Sequence, residues 1–406
     1  MSNLSVQNPP ITSTSLSSSR VPCLDGLRGL AVLLVLFVHY VHDCMHSRPT
    51  IGIVQLLHNL SGLCWTGVDL FFVLSGFLIG GILMDQCRSK NFFSVFYARR
   101  FFRIMPVYWL LCLPILILLA CNPGPRQIPL WSYLCFQQNW FMAYHSTFGK
   151  DTQLYLGPTW SLAIEEQFYL LFPLVVYIFR KDLSKLRNIM LILLVTAPMV
   201  RTVLFASGWT KCCYLLLPCR MDALMVGALA AFLMRHHQGS LIEQKRPLLM
   251  IAVALLGATF LGFACFDLTS AYSPIMATIG YTVVAIFYGM GLLLAVSTNE
   301  GKSVPLICSN ILIQLGRISY ATYLFHFAVM LILFSTIFHS IPTVDSIPGA
   351  LLAFFACWIT LTMAAISWRF FESPILKFAQ KFAYIQENPV SKKPWSESKS
   401  KLLALP

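Results

Sequence analysis

The chain has 406 residues, of which 57% are hydrophobic and only 11% charged, against about 25% charged in an ordinary soluble domain. With a mean hydropathy of +0.71, it carries more apolar surface than a water-soluble globule can hide. The formal charge of +13 does not point to nucleic acid, because the basic residues punctuate apolar spans and form no single patch.

The first twenty residues are rich in Ser, Thr, Pro and Asn and read as a disordered tail (1–20). They lack the basic start and apolar run of a cleavable signal, so the first span is expected to stay in the mature protein. The thirteen cysteines show no CxxC and no Cys/His ligand spacing, which argues against a zinc site or a disulfide scaffold. A pairing of Cys44 with Cys64 on the outer side is left open.

Ten apolar segments follow, at about 29–45, 63–84, 104–121, 160–179, 189–206, 218–234, 248–266, 274–297, 318–338 and 348–370. Each is near the length of a spanning helix, so the expected fold is all-α, a polytopic bundle of ten transmembrane helices. Placing the N-terminus inside puts all of the 29 Lys and Arg except Arg48, Arg126, Lys150, Arg201, Lys211 and Arg220 on the cytoplasmic side. That is the positive-inside pattern, and both termini are expected in the cytoplasm. The domain reading is a membrane domain over 21–375 and a cytoplasmic tail over 376–406. No internal repeat is visible, which weakens the case for a transporter built from paired halves.

The first span, C-L-D-G-L-R-G-L-A-V-L-L-V-L-F-V-H-Y, carries Arg28 and His39 eleven residues apart. On a regular helix that is three turns plus about 20°, so the two share a face with a rise of about 16 Å between them. Ionisable groups at such depth usually face a bundle interior or a wet cavity. An arginine suits an anionic ligand, and a histidine moves protons at physiological pH. The competing reading is a snorkelling arginine and an interfacial histidine. A metal held by His39, His42, Asp43 and His46 is a further alternative, disfavoured because the helix is expected to fray before His46.

The second span carries Asp69 near its outer end and Ser75-Gly76 near its middle; small residues there permit close helix approach, and a buried Asp is expected to pair with His39 or an arginine. In F-Y-A-R-R-F-F-R, Arg100 and Arg103 share a helix face while Arg99 points elsewhere. The pair suits phosphate oxygens, although anchoring to lipid phosphates would use the same residues. The outer connection 122–159 is rich in Trp, Gln, Asn and Tyr and suits either a sugar or a plain interface. The fourth span opens W-S-L-A-I-E-E-Q-F-Y. Glu165 and Glu166 point about 100° apart, so only one faces a given partner, and a carboxylate beside an intramembrane histidine would orient it. Arg220 and Asp222 open the sixth span. His326 lies in S-Y-A-T-Y-L-F-H and Glu372 in F-F-E-S-P; these four read first as structural polar contacts.

Taken together, C-L-D-G-L-R-G-L-A-V-L-L-V-L-F-V-H, G-V-D-L-F-F-V-L-S-G-F-L-I, F-Y-A-R-R-F-F-R-I-M-P-V-Y, W-S-L-A-I-E-E-Q-F-Y-L-L-F-P-L, R-M-D-A-L-M-V-G-A-L-A-A, L-G-R-I-S-Y-A-T-Y-L-F-H and F-E-S-P resemble the acyltransferase-3 family. These are integral membrane enzymes that O-acylate envelope polysaccharides and some small molecules. The resemblance runs from about Leu24 to Pro374. It implies a bacterial inner (plasma) membrane enzyme that takes an acyl group, acetyl above all, from cytoplasmic acetyl-CoA or another acyl-CoA and passes it to a hydroxyl of a glycan or lipid-linked carbohydrate. It also implies Arg28, Arg100 and Arg103 as donor-binding residues, with His39 and Glu165 as catalytic ones. Asp69, Ser75, Glu166, Arg220 and His326 are supporting candidates, and neither a metal nor nucleic acid is expected. Some members carry a further SGNH-type esterase domain, for which this chain stops too soon; a stand-alone enzyme is the expectation. His39 acts as general base, directly or through a water, held by Glu165 or else Asp69; covalent acyl transfer through His39 is the alternative chemistry. The rival class is a transporter or flippase using the same groups as a proton relay.

Overall fold

The structure, a computed structural model, describes residues 22–47, 52–121, 128–145, 155–236, 239–266, 268–297 and 306–386. Ten helices are long and apolar enough to cross a membrane. They are α1 (Pro22–His42), α2 (Gly52–Gln86), α3 (Phe92–Cys121), α4 (Thr159–Ile178), α5 (Leu183–Ala206), α6 (Thr210–Arg235), α7 (Arg246–Cys265), α8 (Met276–Val296), α9 (Asn310–Ile337) and α10 (Ile347–Ala379). All ten expected segments are present, several extended by a polar first turn that hydropathy alone does not register. Among the described residues there is no strand, only an isolated bridge between Ser89 and Gln386. That bridge lies where the chain after α10 folds back on the start of α3, with Asn91 donating to Ala383 O and Arg99 to Phe382 O. The expected tail at 1–20 falls outside the described residues. In the other tail, 376–386 is packed onto the bundle.

Two helix pairs set the frame. Helices α2 and α6 meet through glycine: a Cβ on Gly76 would overlap Leu224 O, and one on Gly227 would overlap Val73 O. This is the close approach expected at Ser75-Gly76, where the absence of a side chain lets backbones touch. Across the same seam Arg220 pairs with Asp69 at 2.6 Å, and beside it Arg201 pairs with Asp222 at 2.9 Å. All four side chains are buried. Thr282 on α8 donates to Asp222 and accepts from Arg201, so the charges are tied into one hydrogen-bonded cluster. Asp69 therefore has an arginine as its partner.

The second pair is α1 with α9, which run side by side in the same direction. Gly26, Gly29 and Gly316 lie on the backbone carbonyls of Ile307, Leu312 and Asp25 with no room for a Cβ. At the start of this pair Cys23 and Cys308 form a disulfide between Cα atoms 5.0 Å apart. Here the structure corrects the cysteine reading: one bond exists, between residues 285 apart in sequence, a separation that local spacing does not reveal. Cys44 and Cys64 are both free.

Near its end α1 changes pitch. Val38–His42 forms a π-turn, closed by Asp43 N donating to Val38 O at 2.8 Å. Such wide turns occur mostly at functional sites because they re-aim side chains. This one displays His39.

Candidate active site

Two cavities flank α1, one toward each end, and are called inner and outer after the orientation the charge bias implies. The inner cavity, about 150 Å³, opens where α1, α3 and α9 begin. Arg28, Arg100, Arg103 and Arg317 line it, against the carboxylates of Asp25 and Glu165. These three helices start from this end, so arginines about two to three turns into them reach a common level. Arg28 is steadied by Asp25 at 3.3 Å. Arg317 keeps Nε buried with no hydrogen-bond partner among the described residues. Four guanidiniums with two carboxylates leave the cavity cationic, a setting for a polyanion with several phosphate oxygens. Arg99 turns the other way, donating to Phe382 O at 2.8 Å and lying over Tyr384.

Glu165 enters the same cavity from α4, beside Ser75 and Tyr169. Those two hydroxyls are 2.6 Å apart. Glu166, the next residue, does not line the cavity; one of its oxygens is buried without a partner among the described residues.

The outer cavity, about 470 Å³, is different in character. Its walls carry Trp65, Trp160, Tyr214 and Tyr272, with His39, His42, Asp43, His58 and Lys211 as polar groups. Trp160 and Tyr214 pack with ring centroids 4.5 Å apart, and Trp65 is held by donating to Thr269 O at 2.9 Å. Lys211 Nζ lies 3.9 Å from the Tyr272 ring centre. Aromatic faces with dispersed polar groups fit an amphipathic, hydroxyl-rich ligand.

Val68 and Tyr323 belong to the walls of both cavities. They form the partition between them. Tyr323 is fixed there by its hydroxyl, 2.6 Å from Ser161 Oγ and donating to Pro158 O at 3.1 Å. Arg28 and His39, expected on one face, thus stand on opposite sides of this partition.

His39 is half-buried in the outer wall. Its Nδ1 lies 2.9 Å from Val35 O and 3.3 Å from Nε2 of His326. His326, fully buried on α9, has its own Nδ1 2.6 Å from Tyr323 O. Glu165 and Asp69 are not among the hydrogen-bond partners of His39: Glu165 lines the inner cavity and Asp69 is taken by Arg220. The alternative metal set does not assemble, since His42 turns to Ser61 at 2.8 Å and His46 to Asp345. Among the described residues no three His, Cys, Asp or Glu side chains are placed to share a metal.

Residues 21–369 match the family model described as an acyltransferase domain. The chain belongs to the acyltransferase-3 family. Among curated proteins it is 28% identical over 382 residues to the peptidoglycan O-acetyltransferase OatA of Listeria monocytogenes, covering 90% of this chain and 57% of that protein. It is also 28% identical over 386 residues to the O-acetyltransferase OatA of Staphylococcus aureus strain NCTC 8325, covering 90% of this chain and 59% of that protein. The chain thus spans less than two thirds of the length of these relatives. No solved structure matches it.

Reading the sequence alone misses one member of the candidate site and the partner of another. Arg317 looks like one more cytoplasmic anchor, although its Gly316 neighbour marks a close helix contact. His326 is legible as a supporting candidate but not as the neighbour of His39, because nothing local indicates a partner 287 positions away.

Proposed function

We propose that this protein is an integral membrane O-acyltransferase. It moves an acyl group, acetyl by the names its relatives carry, from cytoplasmic acyl-CoA to a carbohydrate hydroxyl on the other side of the membrane. The observation that carries this reading is the pair of unlike cavities meeting at Val68 and Tyr323, one cationic and one aromatic. The cationic cavity suits the phosphates of acyl-CoA, with Arg28, Arg100, Arg103 and Arg317 as their seat and the pantetheine arm pointing at the partition. The aromatic cavity suits a sugar of an envelope glycan, its faces resting on Trp65, Trp160 and Tyr272.

In the transfer step His39 Nε2 takes the proton of the acceptor hydroxyl while that oxygen attacks the thioester carbonyl. The carbon–sulfur bond then breaks and the imidazolium returns the proton to the departing CoA thiolate. The new bond is an oxygen ester, and free CoA is the second product. Glu165, among the donor arginines beside Ser75 and Tyr169, holds the inner cavity in shape around the donor. In this reading the arginine-rich end, with the start of α1, faces the cytoplasm, where acyl-CoA is made, and the charge bias supports the same orientation.

The test is purified protein in lipid nanodiscs given acetyl-CoA and a glycan acceptor. The expected result is acceptor-dependent release of free CoA thiol, matched by a gain of one acetyl mass on the acceptor. Movement of glycan across a vesicle membrane with no CoA released would instead identify a flippase. His39→Ala, inserted and folded normally, is expected to lose turnover by about 10² to 10⁴-fold, the range for a general base.

A further inference from the structure

We propose that His326 is a positioning residue that fixes the tautomer of His39, so that the lone pair of His39 is held on Nε2 and turned into the outer cavity. The inference rests on His39 being the base.

A carbonyl oxygen can only accept a hydrogen bond. Tyr323 O therefore draws the proton of His326 onto Nδ1, at 2.6 Å. A neutral imidazole has one N–H, so Nε2 of His326 is then an acceptor. That nitrogen stands 3.3 Å from Nδ1 of His39, which also lies 2.9 Å from Val35 O. Both neighbours of His39 Nδ1 are acceptors, and both favour a proton there. The proton is shared between them in a three-centre bond, and Nε2 of His39 is left without one. When Nε2 gains a proton from the acceptor, the two neighbours of Nδ1 also stabilise the resulting cation.

Burial makes the arrangement one-sided. His326 is wholly inside the bundle, and its backbone carbonyl accepts from the Tyr40 hydroxyl at 2.8 Å. Tyr40 in turn meets Thr360 Oγ1 on α10 at 2.9 Å. The residue following His39 therefore anchors the helix turn that carries His326, which fixes the separation of the two rings. A histidine placed only for packing has no need of an acceptor nitrogen aimed at a second imidazole. The wrong tautomer of a catalytic histidine costs a serine protease about 10⁴-fold. The effect here is smaller, because Val35 O still favours the same tautomer, and it combines the tautomer shift with loss of the ring's fixed orientation, which carries most of the cost.

The experiment compares His326→Leu, His326→Gln, His39→Ala and the double variant His39→Ala/His326→Leu, each verified as folded by size-exclusion profile and thermal unfolding. His326→Leu is expected to lower kcat by about 10²-fold while KM for acetyl-CoA stays within about threefold. His326→Gln, whose Oε1 supplies an acceptor near the place of Nε2, is expected to recover at least about tenfold of that loss. The double variant is expected to be no slower than His39→Ala, because His326 acts through His39. Solid-state ¹⁵N spectra of histidine-labelled protein supply a readout that packing alone would not move. The His39 signals, assigned by their loss in His39→Ala, should report a single Nδ1–H tautomer in the parent and a mixture in His326→Leu. Unchanged kcat in folded His326→Leu, or a single unchanged tautomer in it, overturns the proposal while leaving the base reading intact. Full activity in His39→Ala would instead overturn the base reading. If His326→Leu does not fold, the His326→Gln spectrum and kcat decide: an Nε2–H tautomer of His39 there, or kcat lost as completely as in His39→Ala, sinks the idea.

Discussion

Arg220 Nη2 lies 2.6 Å from Asp69 Oδ1 across the seam of α2 and α6, and neither side chain is exposed. The same guanidinium stands over the rings of Tyr281 at 4.3 Å and Tyr214 at 5.2 Å. Because Tyr214 is a wall of the outer cavity, the ion pair supports that cavity from behind. Arg220→Ala strands the Asp69 carboxylate and is expected to destabilise the bundle by about 3–5 kcal/mol. Thermal unfolding in detergent measures it. The paired replacement Asp69→Leu/Arg220→Met should recover most of that loss, since removing both charges leaves none unpaired. No recovery would mean the pair does more than balance charge.

The inner cavity gives a prediction about donor affinity. Arg100→Ala, Arg103→Ala and Arg317→Ala should each weaken CoA binding by about 1.5–3 kcal/mol, the worth of a charge-assisted hydrogen bond. Arg99→Ala should have a small effect, because Arg99 is engaged with Phe382 O and the Tyr384 ring. Isothermal titration with CoA on the four variants decides it. Equal losses at all four would mean a diffuse basic rim.

The two adjacent glutamates should separate cleanly. Glu165 lines the inner cavity with Arg28 and Arg100, and Glu166 does not. Glu165→Gln is expected to lower kcat by about tenfold or more, since small displacements of the reacting groups are costly. Its KM for acetyl-CoA should stay level or fall, because a negative charge beside the arginines is lost. Glu166→Gln should remain within about threefold of the parent. Steady-state kinetics on both variants is the check, and a crippled Glu166→Gln would reverse the assignment.

The partition gives a fourth. Val68→Phe adds bulk where the two cavities meet and should block acyl transfer while CoA still binds with near-parental affinity. Overpacking of this kind costs about 1–3 kcal/mol of stability, so folding is checked alongside. Normal turnover in a folded Val68→Phe protein would show that the acyl group passes elsewhere.

Much of this architecture is legible in the sequence, for a physical reason: a spanning helix must be apolar over its whole length, and that leaves a long signal. Helix starts are less legible. Phe92–Arg103 belongs to α3 although it is basic, because it packs against the chain returning after α10. Arg28, Arg100 and Arg103 are legible as candidate anion ligands from charge and spacing, and the structure brings all three to one cavity while Arg99 turns away. The relation of His39 to its surroundings is not legible. It depends on a π-turn, which no periodicity announces, and on a contact with α9, which a regular helix extrapolated from Arg28 cannot supply. The same extrapolation places Arg28 and His39 on one helix face, whereas the structure opens them to two separate cavities.

The glycine contacts and the Cys23–Cys308 bond make α1 and α9 behave as one double rail. Arg28 and Arg317 stand on the two strands of that rail at one end, and His39 and His326 at the other. A slip of one residue between the strands would misalign both pairs together, so the proposed donor seat and the proposed base share one ruler and cannot be retuned separately. On the proposed function, variation in the acceptor must therefore come from elements off the rail: Trp65 on α2, Trp160 on α4, Lys211 and Tyr214 on α6, and Tyr272 before α8. A change of acceptor can be grafted onto those walls while the rail is left untouched.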